Sequence, residues 1–176
     1  MRSAVFKYGT IAGITMAVLM FATMIMLDKI GYTYAEAIGY ACMFIGFLPV
    51  FFGTRYFRNE INGGYVSFGR AFVVSVATSL FANLFYVASW LIIYYYMPGF
   101  MERATAYAID QMKVAGKAQK EIDMAIQQMQ QFREMYKNPL VGAGVTYTEP
   151  MRGTIVFSLI TALLLMRKPA SLPPLQ

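Results

Sequence analysis

Histidine is absent from the 176 residues, and cysteine occurs once, at Cys42. A single chain so composed has no disulfide framework, no His-based metal site and no Cys/His or Ser/His catalytic arrangement. Charge is scarce as well, 14% of residues against 58% hydrophobic, which departs from the soluble average toward a membrane protein. The formal net charge of +6 raises the question of nucleic acid. The basic residues flank apolar runs and form no patch beside stacking aromatics, so anionic lipid headgroups are the expected partner and nucleic acid is not.

What the chain does hold is apolar length. Between Lys7 and Asp28 lie 20 uncharged residues, YGTIAGITMAVLMFATMIML, which at a helical rise of ~1.5 Å per residue match a hydrocarbon core of ~30 Å. Asp28 and Lys29 follow large residues, unlike a signal-peptide cleavage site, so this run reads as an anchor. Ala37 to Thr54 supplies 18 more uncharged residues, and Pro49 predicts a kink near Ile45 to Pro49. A third span, Ala71 to Met97, ends in WLIIYYYMPG. There Trp90, Tyr94, Tyr95 and Tyr96 suit the headgroup level, and Pro98 with Gly99 stops the helix.

From 98 to 139 the composition turns polar. Ile122, Ala125, Ile126, Met129, Phe132 and Tyr136 recur at helical spacing, closed by Asn138 and Pro139, and a weaker stripe of similar spacing ends at Gly116. Two helices pairing these stripes as a hairpin are expected, standing off the membrane or lying on it.

The last apolar run poses a problem, because Gly153 to Met166 gives 14 uncharged residues, too few to cross a bilayer. If Thr148 caps the helix, Glu149 and Pro150 fall in its first turn, and Arg152 extends back to the interface and pairs with Glu149 at i,i+3. The competing reading makes Glu149, Pro150 and Arg152 a polar site inside the membrane. Glu149 is the one acid expected near membrane depth, so no catalytic carboxylate pair forms.

The fold class is therefore an all-α membrane protein with four transmembrane helices, at about 8–27, 37–54, 71–97 and 150–166, and an extracytoplasmic helical hairpin over 98–139 between the third and fourth. Both termini fall on one side. Near the membrane that side carries Arg2, Lys7, Arg55, Arg58, Arg70, Arg167 and Lys168, against Lys29 and six basic residues of the hairpin, a tie at seven each. The density of charge in short segments and the first helix decide for cytoplasmic termini.

Three further patterns stand out. Ser75, Ser79 and Asn83 fall at i,i+4,i+8, with Thr78, Ala82 and Tyr86 beside them, a face suited to helix packing or to a solute path. Gly9 and Gly13 make a GxxxG spacing extended by Ala17, for a partner helix that the pattern does not identify. The turn RYFRNEINGGYVSFGRAF lacks the order of a phosphate or dinucleotide loop; Gly63 and Gly64 suit turn geometry, and Arg70 with Arg55 and Arg58 suits headgroup anchoring or the docking of a cytoplasmic partner.

The order of KYGTIAG, NGGYVSFGRAF, PGFMERATAYAIDQM, QFREMYKNPL and TEP resembles the bacterial membrane-protein family known as domain of unknown function 4199. The resemblance implies an integral protein of the inner (cytoplasmic) membrane with four helices and an extracytoplasmic insert. It carries no established activity, cofactor or site. The functional expectation is a non-enzymatic membrane protein that binds or scaffolds another membrane or envelope component, with membrane lipids and another membrane protein or a second copy of the chain as partners. The alternative is a small transporter or channel subunit with a polar path near Glu149, Arg152 and Asn83.

Overall fold

The computed structural model describes residues 1–30, 32–97 and 99–167, with the backbone alone for 27–30, 32, 33, 35 and 36. Expectations resting on the side chains of Asp28, Lys29 and Glu36, or on Pro98 and Lys168, lie outside the described residues.

The described residues form seven α-helices: α1 (Arg2–Ile30), α2 (Tyr32–Tyr56), α3 (Phe68–Tyr96), α4 (Phe100–Val114), α5 (Gln119–Tyr136), α6 (Pro139–Thr148) and α7 (Met151–Leu165). A π-helical turn, Phe57–Ile61, extends α2. Four segments are long and apolar enough to cross a membrane: Arg2–Met26, Ala37–Ile61, Phe68–Tyr96 and Pro139–Leu165. Pro49 lies within α2, where its missing N–H is a local cost that a membrane helix tolerates.

Side-chain distribution explains how these helices pack. Large apolar residues face outward, among them Val18, Phe52, Val73, Leu84 and Leu164. The interior combines apolar residues such as Phe47, Val50 and Ile93 with small polar ones, including Ser75, Thr78, Ser79, Asn83, Thr154, Ser158 and Thr161. Apolar side chains on both the outside and the inside suit a lipid surround, where small residues let backbones approach. Helix α1 packs against α2 and α3, and α3 packs in turn against α6 and α7. The Gly9 and Gly13 face meets α3 of the same chain: a Cβ at Gly9 would lie 2.7 Å from the Phe81 ring, and one at Gly13 2.5 Å from Phe85.

One end of the bundle is closed by main-chain and side-chain ties. Val66 N donates to Arg167 O at 3.1 Å and Arg167 N to Val66 O at 2.8 Å, while Arg58 reaches Leu165 O. Gly63 and Gly64, at φ +68° and +86°, turn the chain from the π-helical segment toward α3. Arg70 Nη1 donates to Asn62 Oδ1 at 3.0 Å and braces that turn. Beneath it, Ala4, Phe57, Val66, Ala71, Val74 and Ala162 form an apolar cluster.

The last span differs from expectation. Thr148 does not cap α7: its hydroxyl donates backward to Val145 O at 2.7 Å, and α6 continues through Thr148. Glu149 and Pro150 therefore form a break between two helices within one candidate span, not the first turn of its end. Asn138 and Pro139 end one helix by starting another, since Asn138 Oδ1 accepts from Leu140 N and Pro139 opens α6.

Candidate functional site

Helix α6 begins at Pro139 and runs apolar to Thr148, after which Pro150, lacking an N–H, interrupts the helical bonding. Glu149 sits ten residues beyond Pro139 in the candidate span Pro139–Leu165, roughly 15 Å along a helix of standard rise. Its carboxylate Oε2 accepts a hydrogen bond from Tyr86 Oη of α3 at 2.9 Å. The expected pairing with Arg152 does not form: the described ion pairs are Lys117–Glu121, Arg133–Glu102 and Lys137–Glu134. Glu149 is instead held across the bundle.

Glu149, Tyr86 and Arg152 line a half-open cavity of about 700 Å³ between α1, α2, α3 and the α6–α7 break, within the range of small-molecule sites. Met16, Met20 and Met24 project from α1, and Tyr40, Cys42 and Met43 from α2. Thr23 Oγ1 and Cys42 Sγ are 3.6 Å apart on one wall. Trp90 forms part of the rim. The chamber thus combines polarizable apolar walls with one carboxylate and one guanidinium.

A tyrosine from α5 fixes the rim. Tyr136 is fully buried and receives Trp90 Nε1–H at 3.1 Å. Its hydroxyl meets Thr146 Oγ1, whose own proton is donated to Gly142 O. The donor order is therefore Trp90 to Tyr136, Tyr136 to Thr146, Thr146 to the backbone. Burial pushes the Tyr136 phenol above its ordinary pKa. Tyr95 Oη donates to Tyr136 O, so the aromatic end of α3 is tied to α5.

The structure brings Glu149 and Arg152 to one chamber, with Pro150 making the break that presents them. Asn83 lies one helical turn from Tyr86, buried, with Nδ2 donating to Thr154 Oγ1 at 3.1 Å. Ser79 is buried a turn further along α3. Gly63, Gly64 and Arg70 belong to the opposite, closed end and do not join this group.

The family model described as Protein of unknown function (DUF4199) matches residues 7–167. The chain belongs to this family. The DUF4199 match takes in α2 through α7 whole and α1 from Lys7, so the chamber and the closed end both lie inside it. No curated protein and no solved structure matches the chain.

Sequence reasoning missed the α1 methionines, Tyr40 and Tyr136 in this DUF4199 protein. Met16, Met20 and Met24 do recur at i,i+4,i+8, but that spacing fits a packing face equally well. Tyr136 was legible as part of an amphipathic stripe, whereas its partners stand 46 and 10 residues away.

Proposed function

We propose that this protein is a non-enzymatic integral membrane protein whose chamber takes up a small amphipathic solute, with the polar group at Glu149 and Arg152 and the apolar body against the methionines. The observation that carries the reading is Glu149 itself: a carboxylate within a candidate span, bonded to Tyr86 and facing a 700 Å³ space. Ionisable groups at such depth mark solute or ion pathways more than packing. A polar group lining a cavity between helices suits a binding site on a transporter-type path.

Trp90, the chain's one tryptophan, reports on the rim. Titration with a short-chain brominated amphiphile should quench its fluorescence with saturation, and Glu149→Gln should weaken the apparent affinity several-fold. Linear quenching, equal in the wild type and the variant, would mean partition into lipid alone and would sink the reading.

A second reading concerns α4 and α5. Phe100, Ile122 and Tyr136 are their buried residues, while Val114, Met124 and Met135 are exposed. These surfaces support a role in binding or scaffolding another membrane or envelope component outside a bacterial inner membrane, with both termini cytoplasmic. Excision of 103–130, which spares Phe100 and Tyr136, should leave insertion intact and remove site-specific crosslinks made from the exposed Met135. Crosslinks from elsewhere that survive the excision unchanged would remove this pair of helices from the interaction.

A further inference from the structure

The residues that line the chamber are exposed along one side of it. Gly39 and Tyr40 of α2 and Thr148, Glu149 and Arg152 of the α6–α7 break are exposed, whereas Met16, Thr23, Tyr86 and Trp90 on the α1 and α3 walls are buried or half-buried. Among the described residues, then, the chamber opens between α2 and the break. A second cavity, of about 160 Å³, lies along the same pair of elements. Phe44 and Phe47 of α2 and Val156 and Ile160 of α7 are among its walls, and Tyr40, Met43 and Gly153 line both cavities.

Apart from Tyr40, the side chains lining this cleft carry no hydrogen-bond donor. Phe44, Val156 and Ile160 are exposed apolar residues within the candidate spans Ala37–Ile61 and Pro139–Leu165. The cleft is therefore open to the layer that lipid tails occupy. Phe47 and Phe157, stacked at 5.5 Å and buried, form its floor. Gly153 leaves the space between cleft and chamber without a side chain: a Cβ there would lie 3.2 Å from the Phe47 ring and 3.6 Å from Met43 Sδ. From Tyr40 to Phe47, and from Gly153 to Ile160, is about 10 Å of helix, a run alongside which one extended chain can lie.

The polar end of this continuous surface carries both charges. Glu149 Oε2 accepts from Tyr86, and neither Glu149 nor Arg152 takes part in the described ion pairs. A head with an ammonium for the carboxylate and a phosphate for the guanidinium satisfies the two together. We propose that chamber and cleft bind a single-chain zwitterionic phospholipid of the lysophosphatidylethanolamine class, taken sideways from the bilayer, with its head between Glu149 and Arg152 and its acyl chain in the α2–α7 cleft. The proposal rests on the chamber reading above and extends it from a small amphiphile to one that reaches past Gly153.

The test gives the full chain, in nanodiscs of diacyl phosphatidylcholine, a lysophosphatidylethanolamine with a diazirine at its chain end, and locates the photolabel by peptide mass spectrometry. The expected result is saturable labelling at Phe44, Val156 or Ile160, displaced by unlabelled lysolipid and not by free phosphoethanolamine. Labelling should fall several-fold both in Glu149→Gln and in Val156→Phe, which fills the cleft from an exposed position. Saturable labelling at Met16 or Met20, lost in Glu149→Gln but unchanged in Val156→Phe, would overturn the cleft and leave the chamber reading standing. Displacement by free phosphoethanolamine would make the head the whole ligand and overturn the lipid class. Unsaturable labelling spread over Val18, Val73 and Leu84 would mean partition into the bilayer and overturn the proposal; the chamber reading then stands or falls on saturable Trp90 quenching by the short-chain amphiphile. Should Val156→Phe fail to fold, the wild type decides. Moving the diazirine to the head end of the chain is expected to shift the label from Ile160 toward Tyr40 or Met43, and the same residues labelled from both ends would overturn the proposal.

Discussion

Tyr136 joins three elements, with its ring beside Tyr94 of α3 at 4.5 Å, its hydroxyl at Thr146 of α6 and its own place at the end of α5. Tyr136→Phe keeps the ring but strands the Trp90 N–H. The expected loss is about 1–2 kcal/mol of stability, read by denaturant titration with Trp90 fluorescence. The raised Tyr136 pKa also sets a direction with pH. A phenol whose folded pKa exceeds its unfolded value contributes stability that is fully present below the unfolded value, ~10, and is lost as pH rises through the folded value. Absorbance titration should therefore show this tyrosine ionising above the ordinary phenol range, and the alkaline loss of stability should be smaller in Tyr136→Phe. Between helices, Asn83 and Thr154 should couple in a double-mutant cycle by about 0.6 kcal/mol, and by no more than about 1.7. A coupling of zero would place the two side chains apart.

At the level of elements, the glycine face of α1 is matched to the phenylalanines of α3. Any side chain at Gly13 meets Phe85 at less than van der Waals distance. Gly13→Leu should cost about 1–3 kcal/mol through overpacking, whereas Gly39→Leu, with no neighbour within 4 Å of its Cβ position, should cost far less. Equal effects in a thermal stability assay would contradict this seating of α1. The α6–α7 break depends on Pro150 in the same way. Restoring the N–H with Pro150→Ala permits a continuous helix, which would rotate Glu149 relative to Tyr86 and lower access to the chamber.

For the whole molecule, the many outward apolar side chains and the small residues between helices fit a bundle dissolved in lipid. Lys7 lies over the rings of Tyr8 and Tyr56 at 5.5 and 5.4 Å, and Arg58, Arg70 and Arg167 gather at the same closed end. If that end faces the cytoplasm, as their density proposes, an impermeant thiol reagent added to intact cells should label Lys120→Cys and leave Arg58→Cys unlabelled, on a Cys42→Ala background. The reverse pattern would invert the bundle.

The amino-acid sequence by itself determined that four segments are apolar enough to cross a membrane, because that property is a sum over neighbouring residues. It also marked the turns at Gly63, Gly64 and Gly116, whose positive φ values other residues resist. Counting between charges shortened the last span, because Glu149 and Arg152 interrupt a helical stretch that runs from Pro139 to Leu165. That Glu149 stands at a break between two helices and bonds to a tyrosine 63 residues away depended on the Thr148 hydroxyl donating backward and on which helices pack together. The chamber, the partner of the glycine face and the bond between Asn83 and Thr154 were likewise decided by tertiary structure. Each depends on which helices stand side by side, and a local pattern carries no record of its neighbour.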